Sequence, residues 1–184
     1  MRNQELGVRS QESGVSELRT LNSKLAFIDT HCHLEMTEFD EDRAKVIQRA
    51  RDAGIEAVIT VGSDLKGNTG SLRLSEKYDF IYSSVGIHPH DAKDFTEEVY
   101  KKVRGWASEY RIQKSNSPLP PFSKGGRGGI TNSELISKVV AIGETGLDYH
   151  YDNSPRDIQR EVFKKHLLLA KELELPVIIH SREA

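Results

Sequence analysis

Two histidines one residue apart close an apolar run early in this chain, in Ala26-Phe27-Ile28-Asp29-Thr30-His31-Cys32-His33. Side chains on a strand alternate between faces, so His31 and His33 share one face while Cys32 takes the other. Two imidazoles on one face can chelate a divalent ion. Two polar histidines where a strand runs into a loop are the alternative this stretch leaves open. Asp29 lies on the histidine face and could orient a ligand from behind. Three later stretches end the same way. Gly86-Ile87-His88-Pro89-His90 carries two histidines around a proline, Val139-Val140-Ala141-Ile142-Gly143-Glu144 ends in a carboxylate, and Pro176-Val177-Ile178-Ile179-His180 ends in an imidazole. Glu144 can bridge cations or pair with a nearby basic side chain. His88, His90 and Arg182 can contact a phosphate, or serve as loop and surface residues. Asp148 and Tyr149 read as organisers of the loop after Glu144, and His150 and His166 as surface or packing residues.

Strands and helices alternate between these stretches. Helices are expected over about 40–53, 67–77, 97–110 and 154–175, with strands at 57–62, 81–88, 139–144 and 176–180. Val46, Ile47 and Ala50 mark the buried face of the first helix, and Val99, Val103 and Trp106 that of the third. In the last, Ser154 is expected to cap the helix with Pro155 in its first position, and Ile158, Val162, Leu169 and Leu173 to form its buried stripe. This alternation predicts an α/β fold with a parallel sheet. An open sheet usually binds ligands at one switch point, whereas a β/α barrel gathers its site from many strand C-termini. Four of five strand ends carry candidates here, which favours the barrel.

The composition, 36% hydrophobic and 29% charged with net charge −2 over 184 residues, is that of an ordinary globular protein. It lacks the basic footprint of a general nucleic-acid binder. A single cysteine excludes an internal disulfide and fits a reducing compartment. No apolar run reaches the ~18 residues of a membrane span, and residues 1–24 lack a signal-peptide core, so a cytoplasmic chain with no membrane partner is expected. Residues 1–24 read as a disordered polar extension, and 115–130, rich in Pro and then Gly, as a surface insertion. Its Gly-Gly-Arg-Gly-Gly lacks the Gly-Lys-Ser/Thr ending of a phosphate loop.

Together, His31-Cys32-His33, Gly86-Ile87-His88-Pro89-His90, Gly143-Glu144-Thr145-Gly146-Leu147-Asp148 and Pro176–Arg182 resemble the TatD-type metal-dependent hydrolases, β/α-barrel members of the amidohydrolase superfamily that include DNases. The resemblance runs from about Ala26 to Ala184. It implies two divalent ions (Mg, Mn or Zn), with His31 and His33 on the first, Glu144 bridging as the catalytic carboxylate, and His180 on the second. It leaves His88, His90 and Arg182 for the substrate, DNA or another phosphodiester. Metal pairs about 3.5–4 Å apart suit in-line attack on phosphorus. The family pattern also has a further metal-binding His and a later Asp that this sequence does not contain. About five of eight strand–helix units are expected, hence an incomplete barrel, a truncated chain and open sheet edges able to associate. Two alternatives accompany the nuclease: an impaired metal-binding fragment, and a hydrolase of a non-phosphate ester or amide.

Overall fold

The computed structural model describes residues 26–109 and 138–184. The expectations for 1–24 and 115–130 therefore lie outside the described residues. Five parallel strands form one sheet: β1 (Phe27–Cys32), β2 (Ile55–Val61), β3 (Ile81–Val85), β4 (Val139–Asp148) and β5 (Val177–Arg182). Their order in the sheet is their order in the chain. A doubly wound sheet reverses direction at a switch point, and this one never does. Monotonic order with right-handed crossovers keeps every helix on one side, the winding of a β/α barrel. The described residues thus form a partial barrel, with open edges at β1 and β5.

The helices are α1 (Arg43–Asp52), α2 (Leu65–Lys77), α3 (Glu97–Glu109) and α4 (Arg156–Leu173). Two apolar clusters fix them to the sheet. Ile47 of α1 and Leu74 of α2 meet Leu34, Val58 and Ile81, while Val103 and Ala107 of α3 meet Val85, Val139, Ile142 and Leu169. Each fully buried aliphatic side chain stabilises the fold by roughly 1.5–3 kcal/mol. Cys32 packs against the first cluster, away from the histidine face as its strand position requires, and burial pushes its thiol up to about 12.

Several boundaries differ from the expected ones. Helix α1 begins at Arg43 because that guanidinium holds the preceding loop back, donating to Leu34 O (2.6 Å) and Met36 O (2.7 Å). Ser154 does not cap α4. Pro155 takes the cap position, and the buried Ser154 hydroxyl donates to His90 O (2.7 Å) and accepts from Lys93 N–H (3.0 Å). Ile158 is 38% exposed, and the buried stripe is Gln159, Val162, His166, Leu169 and Ala170. Gln159 is drawn inward because its amide closes three hydrogen bonds with backbone at 148 and 154. Strand β4 does not end at Glu144. It continues to Asp148, pairing Gly146, Leu147 and Asp148 with His180, Ser181 and Arg182.

Candidate metal centre

All the predicted site residues lie toward the C-terminal ends of the strands, and polar side chains on the helices hold them there. From α2, Asn68 donates to Gly86 O (2.7 Å) and accepts from Gly86 N–H (3.1 Å). From α4, His166 accepts from Ile87 N–H through Nε2 (3.2 Å) while its Nδ1–H donates to Val162 O (2.9 Å). Together they set the path into His88. Gln159 clamps both backbone polar groups of Asp148. Buried amides and imidazoles of this kind are stable only when fully hydrogen-bonded, so each fixes its strand end in one position.

Glu144, 7% exposed, lies at the centre. Its Oε2 faces His31 Nε2 at 3.5 Å and His33 Nε2 at 3.8 Å, and its Oε1 faces His180 Nδ1 at 3.1 Å. One carboxylate thus stands between two imidazole sets. His31, His33 and Glu144 form one group whose donor atoms converge closely enough to hold an ion, and His88, Glu144 and His180 form another. The donor set fits divalent metals, since neutral imidazole suits Zn²⁺ or Mn²⁺ and a carboxylate can serve two cations.

The tautomers follow from the neighbours. His33 Nδ1–H donates to Val61 O (2.9 Å) and lies 3.3 Å from Glu35 Oε1, leaving Nε2 free toward Glu144. The Glu35 carboxylate raises the pKa of His33. Its other oxygen accepts from the Thr60 hydroxyl at 2.6 Å. Asp148 acts similarly on the other side, accepting at Oδ2 from His180 Nε2–H (3.0 Å) and His90 Nε2–H (2.9 Å). Burial alone would raise the pKa of Asp148. The Tyr151 N–H and the two imidazoles outweigh it and hold the carboxylate ionised, well below the usual range. His180 therefore turns Nδ1, with its lone pair, toward Glu144.

His88 is different. Its Nδ1 accepts from His90 N–H (3.2 Å), so the neutral ring carries its proton on Nε2, 3.1 Å from His180 Nδ1. Burial, with the His180 imidazole adding to it, pushes its pKa down to about 4. His88 thus enters the centre as a neutral donor. Asp29 accepts from the backbone N–H of His31 (3.1 Å) and acts through backbone. Arg182 lies at the exposed rim, its guanidinium 4.6 Å above the Tyr151 ring.

Sequence reasoning assigned no role to Glu35, Asn68 or Gln159. For Asn68 and Gln159 the signal was a polar residue where the helical period places core; Glu35, in the turn after β1, gave none, and only the fold says what each of them meets.

A sequential parallel β/α sheet with imidazoles and a carboxylate at its strand C-termini is the architecture of barrel hydrolases that use metal ions. The chain belongs to the TatD family: the family model for TatD related DNase matches residues 28–114 and 128–184. It is 42% identical over 156 residues to the uncharacterized metal-dependent hydrolase YabD of Bacillus subtilis, covering 85% of this chain and 51% of that protein. It is 32% identical over 153 residues to a 3'-5' ssDNA/RNA exonuclease TatD of Rahnella sp., covering 83% of this chain and 48% of that one. The crystal structure of YJJV, a TatD homolog from Escherichia coli, superposes with a TM-score of 0.67 at 29% identity, over 85% of this chain and 51% of that one. The chain spans about half the length of the curated relatives it matches.

Proposed function

We propose that this chain carries a binuclear metal centre that hydrolyses phosphodiesters of DNA, with His31 and His33 on one ion, His180 on a second and Glu144 between them. The observation that carries this is the placement of Glu144, with one oxygen toward each imidazole set. Two divalent ions, Mg, Mn or Zn, would supply Lewis acidity to an attacking water and positive charge for the phosphate. The protein's own groups do the rest. Glu35 and Asp148 fix the tautomers of His33 and His180, so lone pairs face inward without reorganisation. His88 offers Nε2–H to a phosphate oxygen, Arg182 offers a guanidinium at the rim, and His90 lines the wall between them. The open β1 and β5 edges, with Phe27, Ile28 and Ile179 exposed, support pairing with further strands of another chain or a second copy.

The test pairs binding with turnover. Mn²⁺ or Zn²⁺ should raise the melting midpoint of the chain, since an ion that binds only the folded state stabilises it by about 2.7 kcal/mol at a hundred times its Kd. A single-stranded oligodeoxynucleotide should be cleaved only with metal present. Glu144→Ala should abolish the shift and lower cleavage by more than about a hundredfold. An unshifted melt would overturn the metal centre. A shift without phosphodiester cleavage, but with turnover of carboxylic esters, would reassign the substrate.

A further inference from the structure

Tyr151 is 53% exposed in the loop after β4, and its ring centroid lies 5.5 Å from that of His90, whose ring in turn packs edge-on at 4.4 Å against His88 of the metal-capable cluster. The other large exposed apolar side chains among the described residues are Phe27, Ile28 and Ile179 on the edge strands, Ile158, Leu167 and Leu168 on α4, and Met36. Only Phe27 of these carries a ring, and among the described residues it makes no ring contact with the site histidines. Resting on the nuclease reading of that cluster, we propose that Tyr151 and Arg182 form a stacking subsite for a base of single-stranded nucleic acid, beside the phosphodiester that is cut.

The subsite is built before any ligand arrives. Asp148, whose Oδ2 holds His90 and His180, uses Oδ1 to accept the N–H groups of His150 (3.1 Å) and Tyr151 (3.0 Å). One carboxylate thereby fixes both the imidazoles and the backbone of the loop that carries Tyr151. Strand pairing fixes the other member, since Asp148 pairs with Arg182 and Tyr149 N–H donates to Arg182 O at 2.9 Å. The nearby carboxylates are engaged elsewhere: Asp152 by Arg156, Glu183 by His150. Among the described residues no carboxylate pairs with Arg182, so its guanidinium keeps its donors for a phosphate. A phenol ring with a guanidinium stacked 4.6 Å over one face suits a base, whose flat face stacks on the outer side of either group whatever its identity. Bases locked inside a duplex cannot reach such a platform.

The experiment uses the full 184-residue chain and a short single-stranded oligonucleotide carrying 2-aminopurine, with chelator present to keep it intact. Stacking should quench the probe with wild type and with Tyr151→Phe. Tyr151→Ala should bind about tenfold more weakly, and the same probe within a duplex, already dim from stacking on its neighbours, should not change when the chain is added. Equal quenching by wild type and Tyr151→Ala, or none with wild type, overturns the subsite. A separate arm, cleavage by the wild-type chain with Mn²⁺ of an oligonucleotide abasic at the probe position, reports the chemistry without a base to stack. Cleavage there with Tyr151-independent quenching would sink the platform alone. Failure to cleave any oligonucleotide would sink the nuclease reading as well.

Discussion

The buried polar side chains on the helices act as positioning devices, and His166 is the one that titrates. It is 1% exposed, neutral, and linked at both nitrogens to backbone 79 and 4 residues away. Burial lowers its pKa from 6.5 to about 4. In the unfolded chain it would take a proton near pH 6.5, whereas in the fold it resists until about 4. The unfolded state therefore binds more protons in that window, and stability falls as pH drops through it, by roughly 3 kcal/mol at most. His166→Asn should lower the stability at pH 7 by about 1–3 kcal/mol, because Ile87 N–H loses its partner. It should also flatten the acid side of the profile between pH 6.5 and 4. Denaturant titrations of both proteins across that range measure the two effects together.

At the scale of elements, the site depends on how closely β3, β4 and β5 approach. A Cβ on Gly86 would lie 2.6 Å from Gly143 Cα, and one on Gly143 would lie 2.5 Å from Ile178 O at a φ of +142°. Glycine is required at both places, and the resulting proximity lets His88, Glu144 and His180 meet across three strands. Gly86→Ala should therefore destabilise by about 1–3 kcal/mol and weaken the metal-induced thermal shift as β3 and β4 part. Gly105 provides the contrast, since nothing lies within 4 Å of its Cβ position in α3. Gly105→Ala should raise stability by up to about 1 kcal/mol and leave the metal response as it was. Thermal melts of the pair, with and without Mn²⁺, separate a local from a general glycine effect.

At the scale of the whole molecule, the sheet has two unpaired edges among the described residues, and apolar side chains mark both. Phe27 and Ile28 on β1 are 48% and 44% exposed, and Ile179 on β5 is 56% exposed. Apolar side chains exposed along an edge strand make it a template for strand addition. The 184-residue chain should accordingly show concentration-dependent association in sedimentation velocity, and Ile28→Lys with Ile179→Lys should shift it toward monomer. An ideal monomer at all concentrations would show that something else covers these edges. No helix among the described residues is long and apolar enough to cross a membrane.

Local chemistry determined much of this protein. Strand–helix alternation announced the parallel sheet, period-two geometry placed His31 with His33 and turned Cys32 away, and four polar strand ends indicated a barrel face. Helical periodicity found most of the core, but missed Ile158 by one position because it treats glutamine as surface. What the sequence could not reveal was decided by packing across strands. Asp148 was legible as a loop organiser, which its Oδ1 is. That its Oδ2 also holds His90 and His180 depends on the β4–β5 register and on the loop after β3. The division of Glu144 between two imidazole sets likewise arises only when residues more than a hundred positions apart meet on one face. Spacing along the chain reports on neighbours a few residues apart; the site joins five strands, and their distances are set by glycine contacts and buried hydrogen bonds that no local pattern records.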